Sequence, residues 1–187
     1  MDQDAKTVRQ SFLEELECTI AHEFSEIRDT CGYPYVGHCL FVAARAREIS
    51  LNRYGDAAAA ETAYIIGLCH DVYEDLPEAG QREVDHLLDA LFPDASERES
   101  VRHWLALLTH KPSEPYAEYF ERITHSRMAS VIKAADAHHN GMIARWKFRL
   151  PAMTVAEGER VREKCAAYEA RSARLLGLLE RNVFDEA

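Results

Sequence analysis

Apolar residues recur at helical spacing along most of the chain, and no stretch alternates at the period of a strand. Over residues 6–27, Val8, Phe12, Leu16, Ile20, Phe24 and Ile27 form one stripe among Glu, Arg and Asp, which predicts an amphipathic helix. Cys31-Gly32-Tyr33-Pro34-Tyr35 breaks it as a loop. A second helix is expected from Gly37-His38 through Leu40, Phe41, Ala44 and Ile49 to Gly55-Asp56, where Asp56 can cap the next. That third helix, Ala57 to Cys69, is apolar nearly all round and is therefore expected at the centre. After Pro77, a fourth carries Val84, Leu87, Leu88 and Leu91. Pro93-Asp94-Ala95-Ser96 is a break with capping residues, and a fifth helix holds Val101, Trp104, Leu105 and Leu108. Beyond the loop from His110 to Pro115, Tyr116, Tyr119, Phe120 and Ile123 mark a short helix. Met128, Val131, Ile132 and Ala135 mark another over 126–139. Leu150-Pro151 is a boundary, and the last helix, about 154–182, carries Val161, Cys165, Tyr168, Ser172, Leu175 and Leu179. With no internal repeat, the expectation is an all-α fold of seven or eight helices in a single domain over 1–187.

Composition narrows the function. A net charge of -10 and a pI near 5.4 argue against a general nucleic-acid binder or a binder of anionic membranes. They leave room for a phosphorylated small molecule, because a metal can supply local positive charge. No apolar run reaches the length of a membrane span; the best is cut by Glu61 and His70. Met1-Asp2-Gln3-Asp4 lacks the basic-then-apolar start of a signal peptide. Five cysteines without a Cys-x-x-Cys pair read as reduced, mostly buried thiols of a cytoplasmic protein.

The central helix ends abruptly. The run Ala63 to Cys69 gives way to His70-Asp71, and Glu74 and Asp75 follow within one turn. On a continuous helix His70 and Glu74 share a face, as do Asp71 and Asp75. An imidazole and three carboxylates are costly to bury unpaired, and a bound cation offsets that cost; a solvated acidic helix end is the plainer alternative. Two further places hold residues of metal-ligand type: His38 at the start of the second helix, and Asp136 inside the apolar stretch Ile132 to Asn140. Each alone has an ordinary explanation, a cap or surface histidine and a solvent-facing aspartate. Their conjunction with His70-Asp71 is what calls for a common purpose.

In this order and at these separations, His38, His70-Asp71 and Asp136 resemble the H…HD…D signature of the HD-domain metal-dependent phosphohydrolases. More closely, Gly32-x-Pro34-Tyr35-x-x-His38, His70-Asp71-x-x-Glu74-Asp75 and Lys133-x-x-Asp136-x-x-His139-Asn140 resemble the hydrolase domain of the RelA/SpoT alarmone enzymes, over roughly residues 28–142. The resemblance implies a helical bundle-like domain with one divalent cation on His38, His70, Asp71 and Asp136. Two imidazoles and two carboxylates suit Mn2+, Fe2+ or Co2+ better than the thiolate-rich structural zinc sites. Family precedent favours Mn2+, with Mg2+ and Zn2+ as further alternatives. The cation would lower the pKa of a water and polarise a phosphoryl oxygen, and Glu74 with Asp75 would orient or deprotonate that water.

Lys133 and Asn140 match family positions on the phosphate or ribose side of the cleft, and Tyr35 matches a family aromatic. Read as residues alone, Lys133 is equally a surface lysine, Asn140 a C-cap before Gly141, Tyr35 a core residue, and His138 structural or exposed. The stripe Tyr116 to Phe120 is either a substrate-side wall or core. Two departures stand out. Where the family stacks a basic residue on guanine, this chain has Asp29, with Arg28 beside it as the substitute; the arginine after the last metal aspartate is Ala137. Guanosine tetraphosphate is therefore expected to be a poor substrate. The implied activity is hydrolysis of a phosphate or pyrophosphate ester of a nucleotide-like molecule. The alternatives are a nucleotidase or phosphomonoesterase of the same superfamily, and a non-catalytic HD-fold regulatory module. Loss of a ligand or of the Glu-Asp pair would favour the module, and none is lost. A helical adaptor gives no reason for these acids and histidines.

Overall fold

The chain is described by a computed structural model over residues 3–147, 154–182 and 184. Nine helical segments succeed one another among these residues: α1 (Gln3–Glu23), α2 (Val36–Tyr54), α3 (Ala57–Cys69), α4 (Val72–Asp75), α5 (Glu78–Leu91), α6 (Ala95–Leu108), α7 (Tyr116–Thr124), α8 (Arg127–Lys147) and α9 (Val155–Arg181). The only extended pairing among them is an isolated bridge between Arg28 and Pro34. The all-α expectation holds, and the segment above the expected seven or eight is α4, a single turn. The Leu150-Pro151 boundary and Met1-Asp2 lie outside the described residues.

Caps mark the breaks where the sequence puts them. Asp56 accepts from the backbone N–H groups of Ala58 and Ala59, and Asp94 from those of Ser96 and Glu97. Thr154 and Glu157 close a reciprocal capping box at the start of α9. The apolar α3 is central, touching α1, α2, α6 and α8, and all of its residues from Ile65 to Cys69 are buried. It meets α2 at Gly67, where a Cβ would stand 2.9 Å from the Cα of Ala43 and 3.1 Å from its nitrogen. Glycine is thus what lets the two backbones approach. α8 lies along α9 and across α2, so α2, α3 and α8 surround one volume. No helix among the described residues is long and apolar enough to cross a membrane.

The structure corrects several expectations. α1 ends at Glu23, not Ile27; Phe24 is nevertheless buried, stacked on Tyr35 with ring centroids 5.5 Å apart. Val8 and Leu40 are 54% and 42% exposed, because a stripe marks a face but not how far its neighbour reaches along it. α8 continues past 139 to Lys147, so Asn140 is mid-helix and caps nothing. Ile143 and Ala144 extend its buried stripe, and Tyr168 of α9 lies against Gly141; this packing overrides the Asn-Gly stop signal. All five cysteines are free thiols; Cys39, Cys69 and Cys165 are buried and Cys18 is exposed.

Candidate metal centre

The stretch from His70 to Asp75 is not one continuous helix. α3 stops at Cys69, His70 keeps helical dihedrals, and Asp71 turns to φ -103, ψ 3 before α4 begins. That sparsely populated conformation is common at active sites. It has a direct consequence, since neighbouring side chains on a helix point about 100° apart. Here His70 Nε2 and Asp71 Oδ2 meet at 2.8 Å. Asp75 nevertheless stays beside Asp71, its backbone N–H donating to the Asp71 carbonyl at 2.9 Å.

Three helices deliver the cluster. From the first turn of α2, buried His38 brings Nε2 to 3.2 Å from His70 Nε2 and 3.5 Å from Asp71 Oδ2. From α8, Asp136 Oδ1 lies 3.3 Å from His38 Nε2 and 3.9 Å from His70 Nε2. The ligand atoms of His38, His70 and Asp71 all lie within 4.8 Å of one another, a grouping that can hold a metal ion. Ligand atoms at right angles around an ion at roughly 2.1 Å stand about 3 Å apart, the scale of these separations.

The chemistry of the donors fits a cation as well as the spacing does. His70 Nδ1 lies 2.8 Å from the Gly67 carbonyl, which only accepts, so Nδ1 carries the proton. Nε2 is then left facing the Asp71 carboxylate, an arrangement that repels unless a proton or cation lies between them. Such a bond to the far nitrogen is also how proteins aim a metal-ligating histidine. Burial alone would depress His38, but hydrogen bonds to Asp136 and Asp71 outweigh it and raise its pKa to about 9. Burial would raise both carboxyls; the histidines hold Asp71, and Lys133 with His38 hold Asp136, well below the usual carboxylate range.

Tyr35, Glu74, Asp75, Lys133 and Asn140 gather here, though not always on the expected atom. Tyr35 donates its hydroxyl to Asp71 Oδ2 at 2.6 Å. Lys133 Nζ sits 2.7 Å from Asp136 Oδ2, and Asn140 Nδ2 donates to Asp136 Oδ1. These two flank Asp136 at i−3 and i+4 on one face of α8. Lys133 is no surface lysine: burial disfavours its charge, yet Asp136 holds its pKa well above normal. Glu74 Oε1 accepts the His110 backbone N–H at 2.7 Å, and burial followed by Asp71 raises the pKa of Asp75, while burial and nearby acids raise Glu74.

Arg28 is the exception. Its guanidinium turns back onto the carbonyls of Ser25 and Ile27. Asp29 accepts from the N–H groups of Cys31 and Tyr33, and Gly32 takes φ 87 in the same turn. The two residues thus lie in a bridged loop. Of the aromatic stripe, Tyr119 and Phe120 are buried, whereas Tyr116 is 37% exposed.

Three residues have roles that the sequence reading did not assign. His139 Nδ1 lies 2.7 Å from His38 Nδ1, and its ring packs on Phe41 at 4.3 Å. Burial and then His38 lower its pKa to about 4, so it faces His38 as a neutral ring. Its position three residues after Asp136, on the same helix face, was the available signal. Tyr119 lies under the Lys133 ammonium at 5.1 Å, and His110 fixes Glu74; nothing local in the sequence marks either role. His138 is exposed and stacks on the outer side of Phe41. Beside Asn140 opens a cavity of about 230 Å³ bordered by Tyr168, Lys147, Arg160 and Lys164.

No curated protein and no solved structure matches the chain. The HD-domain family does, over residues 35–175, which takes in His38, the His70-Asp71 pair, Asp136 and most of α9. The match covers more than half of the 187 residues, and the chain belongs to the HD-domain family.

Proposed function

We propose that the chain is a metal-dependent phosphohydrolase of the RelA/SpoT-like branch. On this reading it cleaves a phosphate or pyrophosphate ester of a nucleotide-like substrate in the cytoplasm. HD-domain proteins are mostly metal-dependent hydrolases. The observation that carries the proposal is the convergence of His38 Nε2, His70 Nε2 and Asp71 Oδ2, with the far nitrogen of His70 pinned by Gly67. Asp136 is the proposed fourth ligand, and Mn2+ the preferred ion ahead of Fe2+ or Co2+. A divalent ion bound there supplies Lewis acidity toward water and toward a phosphoryl oxygen.

The remaining work falls to side chains. Glu74 is the proposed base. Partial desolvation makes it a better proton acceptor than a free glutamate, and the His110 N–H fixes one of its oxygens while the other stays available. Asp75 extends that acidic pair. Lys133 and Asn140 hold Asp136 in place and border the phosphate side of the cleft. Neither Arg28, folded onto carbonyls, nor Asp29, occupied by backbone N–H groups, is available to stack on a guanine. Guanosine tetraphosphate is therefore proposed as a poor substrate beside other nucleotides.

The test is a panel of phosphorylated metabolites incubated with Mn2+ and scored for released phosphate or pyrophosphate. Release that stops on chelation supports the proposal. Tight metal binding without turnover of any member would instead assign the chain to the regulatory-module alternative. If guanosine tetraphosphate has the highest kcat/KM of the panel, the specificity argument is wrong.

A further inference from the structure

One side chain ties the end of α6 to α7. A helix leaves its last carbonyls without partners. Here Arg122 of α7 takes several of them together. Its Nη1 donates to the carbonyls of Ala106 and Leu107, and its Nη2 to that of Thr109 at 2.7 Å. The Tyr119 hydroxyl takes the Leu108 carbonyl at 2.6 Å, and the Arg122 guanidinium carbon lies 4.9 Å from the Tyr119 ring centre. The same guanidinium grips the far end of the loop that follows, with Nε 2.8 Å and Nη2 2.9 Å from the two oxygens of Glu114. Between these anchors the loop closes on itself. The Glu114 N–H donates to the Lys111 carbonyl at 2.9 Å, and His110 Nε2 donates to the Glu114 carbonyl at 2.8 Å.

The Thr109 contact has a partner on the other side of the same peptide group. The carbonyl of Thr109 and the N–H of His110 belong to one planar trans unit, so they point in opposite directions. Arg122 holds the carbonyl, and Glu74 Oε1 accepts the N–H at 2.7 Å. Arg122 and Glu74 therefore face each other across a single rigid group. A rotation of that plane that loosened the first bond would swing the N–H away from the carboxylate. The cation also polarises the peptide, which strengthens its N–H as a donor. A cap on α6 needs only the helix carbonyls. The fork on Glu114 and the bond to Thr109 extend the grip to the segment that carries the N–H, and a lysine could not match that geometry.

We propose that Arg122 is a positioning residue for the hydrolysis: by holding the Thr109 carbonyl it aims the His110 N–H at Glu74, so that one carboxylate oxygen is fixed and the other is kept on the attacking water. The proposal rests on the reading of Glu74 as the base. In this scheme Arg122 acts only through Glu74.

Two measurements test it. The first is hydrogen exchange of the His110 amide, followed by NMR in the full chain with diamagnetic Mg2+ in place of Mn2+, and it is read with or without turnover. Arg122→Ala should speed that exchange about tenfold or more, the scale of a hydrogen bond to a charged group. Guanidinium chloride at sub-denaturing concentration should slow it again where sodium chloride does not. The second is steady-state kinetics on whichever member of the metabolite panel is cleaved. Arg122→Ala should lower kcat about tenfold to a hundredfold, with KM changed less than about threefold. In a Glu74→Gln background the same substitution should cost nothing further, as for two residues that act as one unit. An arginine with a structural role alone would cost the same in both backgrounds. Arg122→Lys keeps the charge without the fork and should fall between. It carries both measurements if the alanine variant does not fold, unchanged exchange and kcat then counting against the proposal. Unchanged exchange of the His110 amide in Arg122→Ala, or an equal loss of kcat with and without Glu74, would overturn it. If the exchange responds as expected while wild type cleaves nothing, the hydrolase reading fails and the coupling of Arg122 to Glu74 stands.

Discussion

Replacing Gly67 with alanine tests whether the close crossing of α2 and α3 sets the cluster. Two effects oppose each other. Alanine improves the helix by about 1 kcal/mol. Its Cβ, however, would meet the Ala43 Cα at 2.9 Å, its nitrogen at 3.1 Å and the Val42 carbonyl carbon at 3.3 Å. These are backbone atoms, so no rotamer change relieves the contact and the helices must part by roughly half an ångström to reach ordinary separations. Overpacking costs about 1–3 kcal/mol, and a clash with backbone belongs at the upper end of that range. The net expectation is a loss of about 2 kcal/mol, or roughly 4–8 °C in Tm for a chain of this length. The displacement also reaches the metal centre. His38 rides on α2 and His70 follows α3, their Nε2 atoms 3.2 Å apart, while metal–ligand distances tolerate only about 0.2 Å. Thermal melts with and without Mn2+ should therefore show two changes in Gly67→Ala: a lower midpoint, and a smaller upward shift on adding metal. A variant that melts at or above wild type and gains the full shift would refute the claim that this crossing positions the histidines.

Four further outcomes follow from the centre itself. His70→Ala should carry clearly less metal than wild type by elemental analysis and lose the stabilisation that metal confers; equal metal content would remove the proposed site. Glu74→Gln should keep its metal but lose hydrolysis by roughly two orders of magnitude or more. Because partial desolvation raises Glu74 and the base must be deprotonated, activity should fall as pH drops through a value above that of an ordinary glutamate; an acid limb at or below that value would exclude Glu74 as the base. His139→Ala should weaken metal binding about tenfold to a hundredfold while leaving all four proposed ligands in the chain, since the His38 ring would lose the partner on its far nitrogen. Unchanged affinity in a metal titration would make His139 mere packing.

The helices were legible because their burial follows the 3.6-residue period, and the caps at Asp56 and Asp94 because short acceptor side chains declare themselves. Hidden from the sequence were features that depend on what packs across the chain. The turn at Asp71 is an example: local spacing favours a continuous helix through His70-Asp71, and only convergence with α2 and α8 explains the break. The Asn140-Gly141 stop signal was real as propensity, but α9 covers that turn and the helix continues. Lys133 and Asn140 were singled out as substrate-side groups, and their contact with the Asp136 carboxylate was not foreseen. A resemblance can mark a position without naming the atom it touches. Arg171 is the opposite case, a residue with no motif around it whose guanidinium lies over the rings of Tyr116 and Tyr168 only once α7 and α9 meet.

The three-helix origin of the cluster has a kinetic consequence. His38 and Asp136 stand about half the chain apart, and His70-Asp71 reaches them only after α2, α3 and α8 have all docked. Closing such long loops is slow relative to forming local helices. The donor set should therefore be absent from the folding transition state and complete only beyond it. Added Mn2+ would then leave the refolding rate of the chain unchanged and slow its unfolding, acting as a brake on escape from the native state rather than as a template for reaching it.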